Sequence, residues 1–122
     1  MSLINTSIAA VMPYFPKWIV KPFANPYVAG ENIAEVTRTI KSLNQQGYKS
    51  TVDILGEFVE NEKQASQVLK SYSELVEIIA KKQMDSTISV KLTHLGLGIE
   101  SKIAQKNFSK LIEVGKKNRV GI

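Results

Sequence analysis

An α/β fold of parallel strands is what the sequence predicts, and three observations carry it. The prolines stop at Pro26, two short β-branched runs follow, and amphipathic helical runs lie before, between and after them. Strands separated by helices of this length need crossover connections, which pair them in parallel with a right-handed turn. The order is helix, strand, helix, strand, helix and the first residues of a third strand. Both a doubly wound sheet and the opening of a barrel fit that order, and periodicity alone does not choose between them.

Residues 1–30 read as an irregular lead-in, broken by Pro13, Pro16, Pro22 and Pro26. It carries Lys17 and Lys21, so it is neither a signal peptide nor a spanning helix. Its aromatics, Tyr14, Phe15, Trp18, Phe23 and Tyr27, read as packing residues. Asn32 followed by Glu35 is a capping-box pattern, and Ile33, Val36, Ile40 and Leu43 recur at helical spacing until Gly47 ends the run. Ser50 to Leu55 then reads as a buried strand, closed by Gly56 and Glu57.

A longer helix follows, capped by Asn61 with Gln64. Its stripe of Ala65, Val68, Leu69, Tyr72, Leu75, Val76 and Ile79 is the strongest periodic signal in the chain. Lys81 and Lys82 fall in its last turn, where cations suit the helix dipole. Thr87 to Leu92 is the second strand, and Thr93 to Glu100 a glycine-containing loop. A third helix carries Ile103, Ala104, Phe108, Leu111 and Ile112, with Gly115 near its end. Val120, Gly121 and Ile122 begin the third strand, so residues 31–122 form one α/β region.

Composition narrows the function. Hydrophobic residues at 43% and charged residues at 22% suit a globular protein. With no cysteine and a single histidine, His94, there is no disulfide framework, no cysteine nucleophile and no multi-histidine metal cluster. The net charge of +5 invites a nucleic-acid partner. Against it, the lysines are scattered over the outer faces of helices without interleaved aromatics, which describes a solvated surface. No uninterrupted apolar run reaches the length of a spanning helix.

In a parallel sheet, functional groups gather where strands end and helix N-termini point their N–H groups. Two such ends exist, Thr51-Val-Asp-Ile-Leu-Gly-Glu57 and Ile88-Ser-Val-Lys-Leu-Thr-His-Leu-Gly96. Asp53 and Lys91 lie inside otherwise apolar strand runs, where a charge is seldom placed unless it is paired or used. One reading is that they pair across adjacent strands and hold register; the other is that they form a site. Glu57 reads as a surface carboxylate beside a helix, and His94 as a satisfied polar residue rather than a proton shuttle. Gly96-Leu-Gly-Ile-Glu-Ser101 follows a strand and leads into a helix, as a dinucleotide-binding loop does. It fails in detail, because Ser101 replaces the third glycine and no acidic residue stands about 20 positions on.

Three blocks, Tyr27-Val-Ala-Gly-Glu31, Thr51 to Glu57 and Ile88 to Leu97, together resemble in order and spacing the opening of bacterial monofunctional proline dehydrogenases. The resemblance runs from about Asn5 to Ile122 and implies the first two to three β/α units of a distorted (β/α)₈ TIM-like barrel. It further implies bound FAD, oxidation of L-proline to Δ1-pyrroline-5-carboxylate by hydride transfer to the flavin, and electrons passed to a membrane quinone. By position, Lys91 matches a catalytic lysine on strand two beside flavin and substrate, and Asp53 an aspartate of the same pocket. Glu57 matches a carboxylate that closes the site by pairing with an arginine of a late helix, outside these 122 residues. His94 stands where many members have Gln, and Gly98 where many have Asp. The location implied is the cytoplasm, with peripheral attachment to the inner membrane as an option.

Most flavin contacts and the arginines for the proline carboxylate belong to later strands and the last helix of such a barrel. The chain is therefore expected to be an N-terminal portion cut in the third strand. It should be inactive alone and should self-associate or aggregate through open strand edges. The alternative is a non-catalytic, self-associating α/β module.

Overall fold

A computed structural model describes Pro16 and residues 28–122. The chain divides into two compact units, Met1–Val36 and Thr37–Ile122. Apart from Pro16 and residues 28–30, the lead-in expected over 1–30 lies outside the described residues. Helix α1 spans Ile33–Gln45. Its start follows from local hydrogen bonding: the Glu35 N–H donates to Asn32 Oδ1 at 3.0 Å, and the Glu35 carboxylate accepts from the Glu31 N–H at 2.8 Å. Gly47, at φ +85°, ends it, and the Tyr48 N–H turns back to the Leu43 carbonyl.

Within the second unit, strand β1 (Ser50–Asp53), helix α2 (Glu62–Lys81), strand β2 (Ser86–Ser89) and helix α3 (Ser101–Asn118) follow in that order. The strands pair in parallel, Ser50 opposite Ser86 and Asp53 opposite Ser89. Asn44 of α1 ties their starting ends together. Its amide donates to the Tyr48 and Asp85 carbonyls at 2.9 and 3.0 Å and accepts the Asp85 N–H at 2.9 Å. Alternation then sorts the faces: Val52 and Ile88 are buried, whereas Thr51, Asp53, Thr87 and Ser89 are exposed. Across the polar face the Thr51 and Thr87 hydroxyls share a hydrogen bond of 3.0 Å.

Both strands are shorter than the sequence predicts, ending at Asp53 and Ser89 rather than at Leu55 and Leu92. Leu55, expected inside a buried strand, is 92% exposed. A run of apolar, β-branched residues does not show where pairing stops, and here the chain bends at Leu55.

Helix α2 starts as predicted, with the Gln64 N–H on Asn61 Oδ1 at 3.0 Å and the Glu60 N–H on Gln64 Oε1 at 2.8 Å. It buries Ala65, Tyr72, Leu75, Val76 and Ile79, and packs against α3. Each large aliphatic side chain so buried contributes about 1.5–3 kcal/mol. Helix α3 runs through Gly115 to Asn118 and is capped by Arg119 in the left-handed region. Gly115 is a point of close approach: a Cβ there would meet the Val120 carbonyl oxygen at 2.9 Å. Val120 to Ile122 form no strand, but the Ile88 N–H donates to the Gly121 carbonyl at 2.9 Å, so the segment lies alongside β2. No helix among the described residues is long and apolar enough to cross a membrane.

Candidate functional site

At the C-terminal end of the two strands a charged cluster forms from three separate stretches of chain. Asp53 closes β1, Glu57 follows the turn at Gly56, and Lys91 lies two residues past the end of β2. The Lys91 ammonium donates to Glu57 Oε1 at 2.8 Å and stands 4.0 Å from Asp53 Oδ2. All three residues singled out from the sequence thus meet at one place. The side chains of Lys91, Asp53 and Glu57 remain 44%, 37% and 54% exposed, so none is a buried ion. An exposed ion pair adds little stability.

Asp53 and Lys91 thus stand within ion-pair distance across the strand ends, with other contacts beside that pair. The backbone ladder sets Asp53 opposite Ser89, and the closer partner of Lys91 is Glu57. That hydrogen bond, and then the lysine's charge, lower the Glu57 pKa from the usual carboxylate value. The same bond raises the Lys91 pKa; partial burial opposes it, while the charges of Glu57 and then Asp53 reinforce it. Both groups are thereby held in their charged forms. Among the described residues Lys91 donates a single side-chain hydrogen bond, to Glu57, which leaves donor capacity for an anionic ligand.

Beneath the charges lies a layer that the sequence reading did not assign. Tyr72 of α2, fully buried, donates its hydroxyl to Asp53 Oδ1 at 2.9 Å. A hydrogen bond to a carboxylate contributes about 1.5–3 kcal/mol. Burial first, then that bond, raises the phenol pKa well above its ordinary value. By periodicity Tyr72 is one more residue of an apolar stripe. The available signal was chemical: a buried phenol needs a partner for its O–H, and the nearest strand end carries a carboxylate.

His94 departs from expectation at one atom. It is 7% exposed, its Nδ1 has no hydrogen-bond partner among the described residues, and its ring meets Tyr72 edge-on at 6.0 Å. At that nitrogen it is not the satisfied polar residue expected from the sequence. Burial lowers its pKa from the ordinary imidazole value, with the Asp53 carboxylate opposing and the Lys91 cation adding to the effect. The ring packs on the β1–α2 turn. Gly56 takes φ +143°, where side chains are rarely tolerated, and a Cβ there would sit 2.7 Å from His94 Nε2. Gly96, at φ +107°, lets the loop approach α3 closely, since a Cβ would meet Ile103 Cγ2 at 2.8 Å.

The glycine-containing loop leads into α3, whose N-cap, Glu100, makes no side-chain capping bond. Among the described residues no group of three or more His, Cys, Asp or Glu is placed to hold a metal ion.

A family model for proline dehydrogenase matches residues 36–122, a span that holds Asp53, Glu57, Tyr72, Lys91 and His94. Over 99 residues the chain is 35% identical to proline dehydrogenase 1 of Bacillus subtilis subsp. natto, covering 81% of this chain and 33% of that protein. It is 30% identical over 103 residues to proline dehydrogenase 2 of Bacillus subtilis strain 168, covering 84% and 34%. A proline dehydrogenase of Deinococcus radiodurans is 27% identical over 75 residues, covering 62% and 24%. The chain spans about a third of the length of the Bacillus relatives. The match takes in both strands, the helices between and after them and the stretches that carry the charged cluster, and the chain belongs to the proline dehydrogenase family.

Proposed function

We propose that the chain is the N-terminal part of an FAD-dependent proline dehydrogenase, supplying the first two β/α units of a distorted (β/α)₈ barrel. The observation that carries this reading is the convergence of Asp53, Glu57 and Lys91 at the C-terminal end of two parallel strands. Barrel enzymes place their chemistry at that end of the strands. The exposed polar face of Thr51, Asp53, Thr87 and Ser89 then becomes part of the barrel interior, and buried Val52 and Ile88 face the helix layer.

Lys91 binds the carboxylate of L-proline and keeps a positive charge beside the reacting ring. Asp53 lines the same pocket as a substrate-binding carboxylate. Glu57 keeps Lys91 charged, and the family resemblance assigns it a gating ion pair with an arginine from outside these residues. The donor set fits a flavin: a half-exposed ammonium with unused N–H groups suits the negative charge that a reduced isoalloxazine carries. FAD, when bound beside Lys91, supplies the acceptor for the hydride from C5 of L-proline, leaving Δ1-pyrroline-5-carboxylate. A membrane quinone is the proposed final electron acceptor, which places the enzyme in the cytoplasm at the periphery of the inner membrane.

Alone, the 122 residues bind no FAD tightly and oxidise no proline, because two strand ends do not preorganise a site built from eight. They self-associate instead. Leu55 and Phe58, 92% and 80% exposed, give the isolated chain an apolar surface to hide. The test is the full-length protein's visible spectrum together with L-proline-dependent reduction of a dye. A yellow, proline-active protein supports the reading, and a colourless, proline-inert one sinks it in favour of a non-catalytic α/β module.

A further inference from the structure

The Asp53 carboxylate sits at the last paired residue of β1, where the ladder ends and the chain turns away toward Gly56. Such a position leaves a side chain free to rotate unless something else holds it. Here its two oxygens have different neighbours. Oδ1 accepts the Tyr72 hydroxyl at 2.9 Å, and Oδ2 faces the Lys91 ammonium at 4.0 Å. The phenol is itself fixed. Tyr72 is fully buried in the face of α2, and the His94 ring stands against it at an interplanar angle of 81°. The Asn61 cap fixes where α2 starts, and so which turn of it lies under the end of β1.

We propose that Tyr72 is a positioning residue for the substrate pocket, anchoring one oxygen of Asp53 from below so that the other is presented on the Lys91 side, toward the substrate's ammonium. The inference rests on the reading of Asp53 and Lys91 as pocket residues. Tyr72 packs on His94 and donates its hydroxyl to Asp53; its proposed effect on the pocket passes through that one carboxylate oxygen. The carboxylate and the ammonium then form a fixed pair of opposite charges, complementary to an amino acid, which brings one carboxylate and one ammonium of its own. Without the phenol, Asp53 is free to rotate onto Lys91 and neutralise it, and both substrate charges lose their partners together.

The test is a double-mutant cycle in the full-length enzyme, with rates taken per folded, flavin-bearing molecule. Tyr72→Phe keeps the ring and removes only the O–H. It is expected to raise KM for L-proline about tenfold while changing kcat less than about threefold. In an Asp53→Ala background the same change is expected to alter kcat/KM by less than about twofold, because the oxygen it acts through is gone. A Tyr72→Phe enzyme with unaltered KM overturns the proposal. So does an equal loss in the Asp53→Ala background, which would mean that Tyr72 acts through packing alone. A wild-type enzyme that does not oxidise proline refutes the functional reading instead, so the two failures are distinguishable.

Discussion

Gly56→Ala is the substitution whose cost the structure defines most closely. Two independent penalties arise. The backbone at φ +143° is a conformation that side chains rarely adopt, and holding alanine there costs about 1–3 kcal/mol. The new Cβ also falls 2.7 Å from His94 Nε2, inside van der Waals contact with a ring that is 7% exposed and braced by Tyr72. Forcing that ring aside adds about 1–3 kcal/mol, as overpacking does elsewhere. The sum is about 2–6 kcal/mol, read as a shift of the urea midpoint of the full-length protein. Adding His94→Ala removes the clash but not the φ penalty. The double variant should therefore be less destabilised than the sum of the two single variants by about 1 kcal/mol or more. Strict additivity, or a Gly56→Ala protein within about 0.5 kcal/mol of wild type, would refute the reasoning.

Three further outcomes are expected. His94 has a folded-state pKa below its ordinary value of 6.5, so the unfolded chain takes up its proton first. The associated stability is full above the ordinary imidazole range and declines as pH falls from that range through the lowered pKa; His94→Gln should flatten that part of a stability profile. FAD titrated with the isolated 122 residues should leave flavin fluorescence and absorbance unchanged, and stoichiometric uptake would mean that the cofactor site is misplaced. Light scattering across a concentration series should show self-association of the isolated chain, reduced by Leu55→Asp with Phe58→Asp; a stable monomer at high concentration would count against the proposed apolar contact.

The order of elements was legible because each is marked locally. Asn32 with Glu35 and Asn61 with Gln64 start helices where the structure has them, and the stripe from Ala65 to Ile79 is the buried face of α2. Strand ends were not legible. Ile54 and Leu55 continue the β-branched and apolar composition, yet pairing stops at Asp53 and the chain bends at Leu55. The meeting of Asp53, Glu57 and Lys91 was anticipated in kind, since both strand ends carried charge. Their partners were not: Tyr72 reached Asp53 across 19 residues of sequence, and the hydroxyl leaves no mark on hydrophobic periodicity. His94 lies in the loop as expected, yet it is buried against Tyr72 and Gly56, contacts that residue spacing does not reveal.

The central claim is that the strand-end cluster is the substrate site, and Lys91→Ala in the full-length protein tests it most directly. Lys91 is about half exposed and its pairs with Glu57 and Asp53 lie at the surface, so its loss should leave the thermal midpoint close to wild type. L-proline-dependent dye reduction per folded molecule should nevertheless fall by about a hundredfold or more, as expected when a charge that stabilises the transition state is removed. A variant that instead loses stability while its activity per folded molecule stays intact would show that Lys91 only holds the two strand ends together, and would contradict the account.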